Sequence, residues 1–192
     1  MKTASFFNEF LANAAQVGSV VPSSIFLTYK MMPPTLPWHK MDTIAELGPG
    51  TGVFTRYIEE KRKPSSRFYL FEQNDRFRQQ LRQCYPHVPI MDDALRLGEV
   101  VRETGRPFDL IVSGLPFANF PAELQEQLFL SIHEALADSG TFVAFQYTLL
   151  LKKKFCDHFP VMDIGYTVMN VPPAWVFRCQ KVQSGTLPMS RI

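Results

Sequence analysis

Cysteine is scarce in this chain: Cys84, Cys156 and Cys179 are the whole complement, widely spaced and without a C-x-x-C pair. That excludes a disulfide framework and a thiolate zinc site, and suits ordinary thiols of a reducing cytoplasm. His39, His87, His133 and His158 are scattered, with no i, i+4 pair and no acid at ligand spacing, so no metal is expected. No apolar run approaches the ~20 residues that span a bilayer. Met1-Lys2-Thr3 is not followed by a signal-peptide core, so the protein is expected to be soluble, or peripheral at most. Charge of one sign is also missing. A formal net charge of +2 argues against a nucleic-acid partner held by bulk electrostatics. No internal repeat or low-complexity stretch is present. What the chain does have is 46% apolar residues in a length of 192, enough for one good core and one domain with a small appendage.

The most informative stretch is Glu46-Leu47-Gly48-Pro49-Gly50-Thr51-Gly52. It follows the apolar Thr43-Ile44-Ala45, which reads as a buried strand. It precedes Val53 to Ile58, where Val53, Phe54, Tyr57 and Ile58 share one helical face. Strand, glycine turn and helix make a nucleotide-binding βα unit, because a backbone without Cβ can turn tightly and lie against a ligand. A second strand, Arg67 to Phe71, closes on Glu72, roughly 20 residues on, where a carboxylate can accept from both hydroxyls of a ribose. Val88 to Met91 leads to Asp92-Asp93-Ala94, and Phe108 to Val112 leads to Ser113-Gly114-Leu115-Pro116-Phe117. These turns are expected along one edge of a parallel sheet, where ligands of open α/β sheets bind. Dinucleotide sites use G-x-G-x-x-G and lay a pyrophosphate on a helix N-terminus. Here the spacing is G-x-G-x-G with Glu46 two residues earlier, which suits a cofactor carrying ammonium and sulfonium. The pattern resembles the S-adenosylmethionine methyltransferases of the Rossmann-like class.

The flanks add helices and strands. Phe6, Phe7, Phe10, Leu11 and Ala14 form an aromatic helical face within residues 4–14. Gly18 to Ser24 breaks that helix and caps a second, with Ile25 to Met32 inside it, stopped by Pro33-Pro34. Pro121 opens a helix striped by Leu124, Leu128, Ile132, Ala135 and Leu136. Asp138-Ser139-Gly140 ends it, and Thr141 to Gln146 forms a fifth strand. Lys152-Lys153-Lys154 starts a short helix or turn. Gly165 to Val171 and Ala174 to Cys179, joined through Pro172-Pro173, read as a final hairpin. The expected fold is α/β: a Rossmann-like, seven-stranded, mostly parallel sheet with helices on both faces, preceded by two N-terminal helices. Its expected parts are an N-terminal helical segment over 1–40, serving as lid or membrane-facing element, a methyltransferase domain over 41–182 and a tail over 183–192.

The turn after the fourth strand is where such enzymes bring the acceptor to the cofactor methyl. Ser113-Gly114-Leu115-Pro116-Phe117 shares Leu-Pro-Phe with the adenine-amine pattern but has Ser113 in place of Asn or Asp, and inserts Gly114. Phe6-Phe7-Asn8-Glu9-Phe10-Leu11, Val17 to Ser24, Glu46 to Gly52 and Ser113 to Pro121 together resemble the bacterial phospholipid N-methyltransferases. Those enzymes are similar in layout to the ribosomal RNA adenine dimethylases. The resemblance runs from about Phe6 to Phe177, and departs in the proline-rich Pro33 to Pro37 and in the tail. It implies S-adenosylmethionine-dependent methylation of the amine of phosphatidylethanolamine, continuing towards phosphatidylcholine.

The expected cofactor residues are Gly18, Ser19, Glu46, Gly48, Pro49, Gly50, Thr51, Glu72, Gln73, Asp93, Ala94, Ser113 and Leu115. Glu46 is assigned to the methionine end, Glu72 to the ribose, and Asp93 with Ala94 to the adenine edge. Leu115, Pro116, Phe117 and Phe120 are expected to bound the acceptor pocket, the two rings favouring a methylated cation. Ser113 and Tyr147 are the candidate catalytic groups, Tyr147 hydrogen-bonding the amine or receiving its proton. The partner is a phospholipid head group at a membrane surface, met by a monomer at the cytoplasmic, inner face of the membrane. Docking is assigned to the first helix or to Lys152 to Lys154. The alternative is a ribosomal RNA adenine N6-methyltransferase, which appends a helical RNA-binding domain where only about ten residues follow here. A cofactor-binding protein without catalysis is a third reading, weakened by the presence of both Glu46 and Glu72.

Overall fold

Strands whose successive residues are all apolar must be covered on both faces. All five residues of β1 (Thr43–Leu47) are buried, and β4 (Phe108–Ser113) is nearly so. The computed structural model describes residues 25–159 and 161–181. The expected first helix over 4–14, Gly18, Ser19 and the tail over 183–192 lie outside the described residues.

The strands form one seven-stranded sheet in the order β3-β2-β1-β4-β5-β7-β6. The remaining strands are β2 (Arg67–Phe71), β3 (Ile90–Met91), β5 (Leu136–Gln146), β6 (Val161–Thr167) and β7 (Ala174–Gln180). β1 to β5 run parallel, while β7 lies antiparallel between β5 and β6. Helices α1 (Ile25–Met31), α2 (Val53–Lys61), α3 (Asp75–Cys84), α4 (Leu97–Thr104), α5 (Ala122–Ala135) and α6 (Lys152–His158) cover it. Side chains part by alternation: Ile44, Leu110, Val112 and Val143 join one core, and Ala45, Leu47, Ile111 and Phe142 the other. This is the expected Rossmann-like α/β sheet. Of the two expected N-terminal helices, the second is α1.

Local chemistry sets the element ends. Asn74 accepts from the backbone N–H of Arg76 and Phe77 at 2.9 and 3.2 Å and caps α3. Asp109 accepts from Asp42 and Thr43 N–H at 2.7 and 3.0 Å, pinning the start of β1 to β4. Arg178 on β7 donates to the carbonyls of Lys30 and Met31 at 3.0 and 3.4 Å, which satisfies the end of α1 and ties it to the sheet.

Several boundaries differ from expectation, and β6 begins at Val161 rather than Gly165. The helix over 122–135 ends before Asp138, and β5 starts at Leu136. Ser139, at φ 64°, bends the strand where its register with β4 shifts between Phe108 and Leu110. β3 is shorter than Val88 to Met91, although Pro89 still accepts from Leu70 N–H at 3.0 Å. β6 ends at Thr167 instead of Val171: Pro172 and Pro173 offer no N–H, and Asn170 Nδ2 donates to Pro172 O at 2.8 Å, closing a turn.

Phe155 of α6 lies 4.4 Å (ring centroids) from Phe177 and 4.8 Å from Phe129, and is fully buried. Phe155→Ala should therefore destabilise the fold by about 3–5 kcal/mol. Urea unfolding should show this as a lower midpoint with little change in m.

Candidate functional site

The parallel strands all end at one edge of the sheet, and their last residues meet there. Leu47 pairs with Phe71 on one side and with Ser113 on the other, and Ser113 pairs with Ala144. Two turns press together in the middle of this edge. Gly114 N–H donates to Leu47 O at 2.8 Å, and Gly48 N–H to Phe71 O at 2.8 Å. A Cβ on Gly114 would stand 2.8 Å from Gly48 O, so only glycine allows this approach. Gly48, Gly50 and Gly52 have φ of 68°, 54° and 82°, the left-handed region glycine tolerates. A Cβ on Gly50 would meet nothing within 4 Å, so the turn offers open backbone there.

Glu72 closes this turn from the side of β2. Its Oε2 accepts from Gly50 N–H at 3.0 Å and its Oε1 from Asn74 N–H at 2.8 Å. Burial raises its pKa, opposed by those backbone donors. Arg78 Nη1 donates to the carbonyls of Glu72 and Gln73 at 2.8 and 2.6 Å and clamps the turn from α3. Glu46 lies below the glycine turn, fully buried. Thr55 Oγ1 of α2 donates to its Oε2 at 2.7 Å, while Oε1 has no hydrogen-bond partner among the described residues. Burial pushes its pKa to about 8, and the Glu72 charge adds to the rise. The Glu72 carboxyl beside the glycine turn opposes a pyrophosphate, while Glu46, with its pKa at about 8, stays largely protonated at neutral pH until a nearby cation favours its charged form. Pro49 accepts from Gly52 N–H at 2.9 Å to shape the turn, and Thr51 is exposed on it. Asp93 is exposed and caps the short 3-10 turn Ala94–Arg96 by accepting from Leu95 N–H at 2.9 Å.

The turn after β4 is held from beneath. Ser113 is buried, and its Oγ accepts from Leu115 N–H at 3.2 Å. Gln146, the last residue of β5, donates from Nε2 to Leu115 O at 3.0 Å and accepts from Ala118 N–H at 3.4 Å. Gln125 on α5 donates to Phe117 O and Phe120 O at 3.0 and 2.9 Å. Phe117 is wholly buried, its ring 5.1 Å from that of Phe129 and 6.2 Å from that of Phe120. Its ring is thus part of the aromatic core under the turn, with half-buried Phe120 and Pro116 nearer the surface. Tyr147 follows β5, half exposed; burial raises its pKa, opposed by the neighbouring Asn170 side chain.

The edge thus brings together Glu46, Gly48, Gly50, Glu72, Ser113, Leu115 and Tyr147. Sequence reasoning passed over Thr55, Arg78, Gln125 and Gln146. The findable signals were a polar residue closing an apolar strand at Gln146 and a hydroxyl early in the helix after the glycine turn at Thr55. Among the described residues no group of three or more His, Cys, Asp or Glu is placed to hold a metal.

No family model matches the chain. Solved structures show what the sheet order suggests. The chain is similar to an N-methyltransferase from Bradyrhizobium japonicum, solved with S-adenosyl-L-homocysteine, at a TM-score of 0.62 and 14% identity, over 84% of this chain and 90% of that one. The architecture is therefore the Rossmann-like methyltransferase fold. In sequence the chain is 29% identical over 184 residues to an ornithine lipid N-methyltransferase from Singulisphaera acidiphila, covering 93% of this chain and 95% of that protein. It is also 29% identical over 149 residues to ribosomal RNA small subunit methyltransferase A of Phenylobacterium zucineum, covering 69% of this chain and about half, 51%, of that one.

The buried carboxyl of Glu46 carries a pH signature. Its folded pKa, about 8, lies above the ordinary 4.5, so between these values the unfolded chain has released a proton that the folded one retains. Stability is then full below about 4.5 and falls as pH rises towards about 8. Glu46→Gln should remove most of that fall, gaining on the order of a few kcal/mol at the alkaline end relative to wild type. Melting temperatures of both proteins across this range test it; parallel curves would refute it.

Proposed function

We propose that the chain transfers the methyl group of S-adenosylmethionine to the amine of a membrane lipid. The carrying observation in the structure is the open glycine turn with Glu72 bonded to Gly50 N–H and the buried Glu46 carboxyl beneath it, whose ionisation a sulfonium cofactor would favour. The lipid half of the reading is supported by the ornithine lipid N-methyltransferase aligned over nearly the whole chain.

Bound S-adenosylmethionine supplies an electrophilic methyl on a positively charged sulfur. The chain's part is to hold and orient. Glu72 accepts from the ribose hydroxyls. Gly48, Pro49, Gly50 and Thr51 lie along the methionine with Glu46 favouring its positive charge, and Asp93 with Ala94 meets the adenine beside Gln73. Gly18 and Ser19, which the sequence resemblance assigns to the cofactor, lie outside the described residues. Ser113 and Leu115 shape the floor, Pro116 and Phe120 bound the acceptor side, and Phe117, expected there from the sequence, instead anchors the turn in the aromatic core. The amine arrives protonated, and a partly dehydrated pocket disfavours that charge, so its proton passes to solvent water at the open acceptor side before transfer. Tyr147, beside Asn170, is the group we assign to hold the amine. The nitrogen lone pair then forms the N–C bond as the S–C bond breaks, an in-line displacement in which positioning carries most of the work.

Two lipid amines fit this reading: phosphatidylethanolamine, implied by the sequence resemblance, and an ornithine lipid. We place the reaction at the cytoplasmic face of a membrane. Among the described residues no helix is long and apolar enough to cross one. Labelled S-adenosylmethionine offered separately with phosphatidylethanolamine vesicles, ornithine lipid vesicles and ribosomal RNA is the test. Label should enter a lipid fraction; label in RNA alone, the reading favoured by the ribosomal RNA relative, would overturn the proposal.

The cofactor assignment has its own test. Glu72→Ala should weaken S-adenosylhomocysteine binding by more than about threefold in calorimetry, since charged hydrogen bonds contribute roughly 1.5–3 kcal/mol. A smaller change would remove Glu72 from the ribose site.

A further inference from the structure

Two loops rise beside the catalytic edge, and both expose large apolar side chains. The first follows β5, where Leu150 is 81% exposed. The second joins β6 to β7, where Val168, Met169 and Val171 are 65%, 57% and 70% exposed. Pairing places them on the same edge as the glycine turn: Gln146 at the end of β5 is opposite Trp175, and Trp175 is opposite Tyr166. The Asn170 side chain of one loop lies near enough to the Tyr147 hydroxyl of the other to bear on its titration, so the loops are neighbours. Single exposed apolar residues are ordinary, but a cluster on one rim marks an interaction surface.

Charge identifies the occupant. Residues 147–151 and 166–175 contain no Asp, Glu, Lys or Arg, and Lys152-Lys153-Lys154 follows at once as the first turn of α6. The apolar tip is followed by the exposed Lys152 and Lys153, the latter paired with Asp157 at 2.8 Å, while Lys154 is held by Gln125 at 2.9 Å. With Tyr147 and Tyr166 at its base, it has the layering of a membrane interface: apolar atoms among acyl chains, aromatic rings at headgroup level, cations beside lipid phosphates. We propose that the loops 147–151 and 166–171 form a membrane-docking rim that seats the catalytic edge on an anionic lipid surface. The rim sits next to the Ser113–Phe117 turn, so docking brings the headgroup layer to the acceptor side of the site. This deepens the lipid reading and rests on it for its purpose, while its evidence is the rim itself.

The test uses the full chain and flotation with phosphatidylglycerol–phosphatidylcholine vesicles against phosphatidylcholine alone. The double variant Leu150→Asp/Met169→Asp should lose on the order of tenfold or more in partitioning. Leu130→Asp, on the outer face of α5 and 47% exposed in the wild type, should keep it. The double variant should retain wild-type melting and S-adenosylhomocysteine affinity. In a Trp38→Phe background, lipids brominated on the acyl chain should quench Trp175 in the otherwise wild-type protein and not in the double variant. Wild-type flotation by the double variant, or no quenching, overturns the proposal. So does a wild-type dimer in ultracentrifugation that the double variant converts to monomer, since the rim would then seat a second copy. If vesicle binding is lost as expected but no lipid amine is methylated, the rim stands and the lipid-methylation reading falls.

Discussion

The contact between the turns after β1 and β4 is the constraint on which the rest of the site depends. Gly114 donates to Leu47 O while its Cα lies against Gly48 O, an approach that admits no side chain. On the other side a Cβ at Gly48 would come within 2.8 Å of Leu115 Cδ2. The two strands therefore end in register, and their turns share one floor. Glu72 can then reach Gly50 N–H from β2, and Gln146 can reach Leu115 O from β5. Four neighbouring strands are fastened at the same edge by bonds to the same pair of turns.

That fastening puts polar groups in places where hydrophobic packing alone would not tolerate them. Glu46 lies in the same strand face as Ile44, under α2, and only Thr55 relieves its burial. An unpaired carboxyl oxygen there costs stability, as buried polar atoms do, and such cost is found where function needs the group. The rise in the Glu46 pKa follows from this burial, so the stability cost and the readiness to favour a nearby cation have one cause. Gln125 and Gln146 do the opposite work. Each adds a side-chain donor to backbone carbonyls of an irregular turn, Gln125 to Phe117 O and Phe120 O and Gln146 to Leu115 O, and so fixes that turn on the core.

Much of this was legible in the sequence, because the strands that matter are short and bounded by strong punctuation. Glycines 48, 50 and 52 announced the first turn, and Glu72 announced the end of the second strand. Both β2 and the hairpin partner β7 fall within a residue of where the pattern puts them. The misreadings share one source: side-chain patterns do not show where a backbone bends. Asp138-Ser139-Gly140 has the composition of a helix-ending turn, yet Leu136 already pairs with Phe108 and the bend sits inside the strand. Val168 to Val171 has strand composition, but Asn170 closes a turn before the two prolines. In the site, the paired acids were visible as acids. Thr55, Arg78 and Gln146 were not, since each acts through a contact across strands or between a helix and a loop that linear spacing cannot specify.

The burial of Phe117 changes how the acceptor side must work. In sequence Phe117 is expected to bound the acceptor pocket and favour a methylated cation, but its ring belongs to a stack with Phe129 and a wider aromatic cluster including Phe142 and Phe155. A ring fixed in that cluster orients the turn instead of moving to meet a planar base. What remains at the surface of the acceptor side is Pro116, half-buried Phe120 and Tyr147, a shallow boundary open towards the apolar loops. A flipped base needs a deep slot that stacks both faces; a small amine on a flexible head group needs only an orienting hydroxyl and a dry wall. The burial of Phe117 thus removes the stacking ring from the acceptor side and leaves Tyr147 as the exposed polar group there.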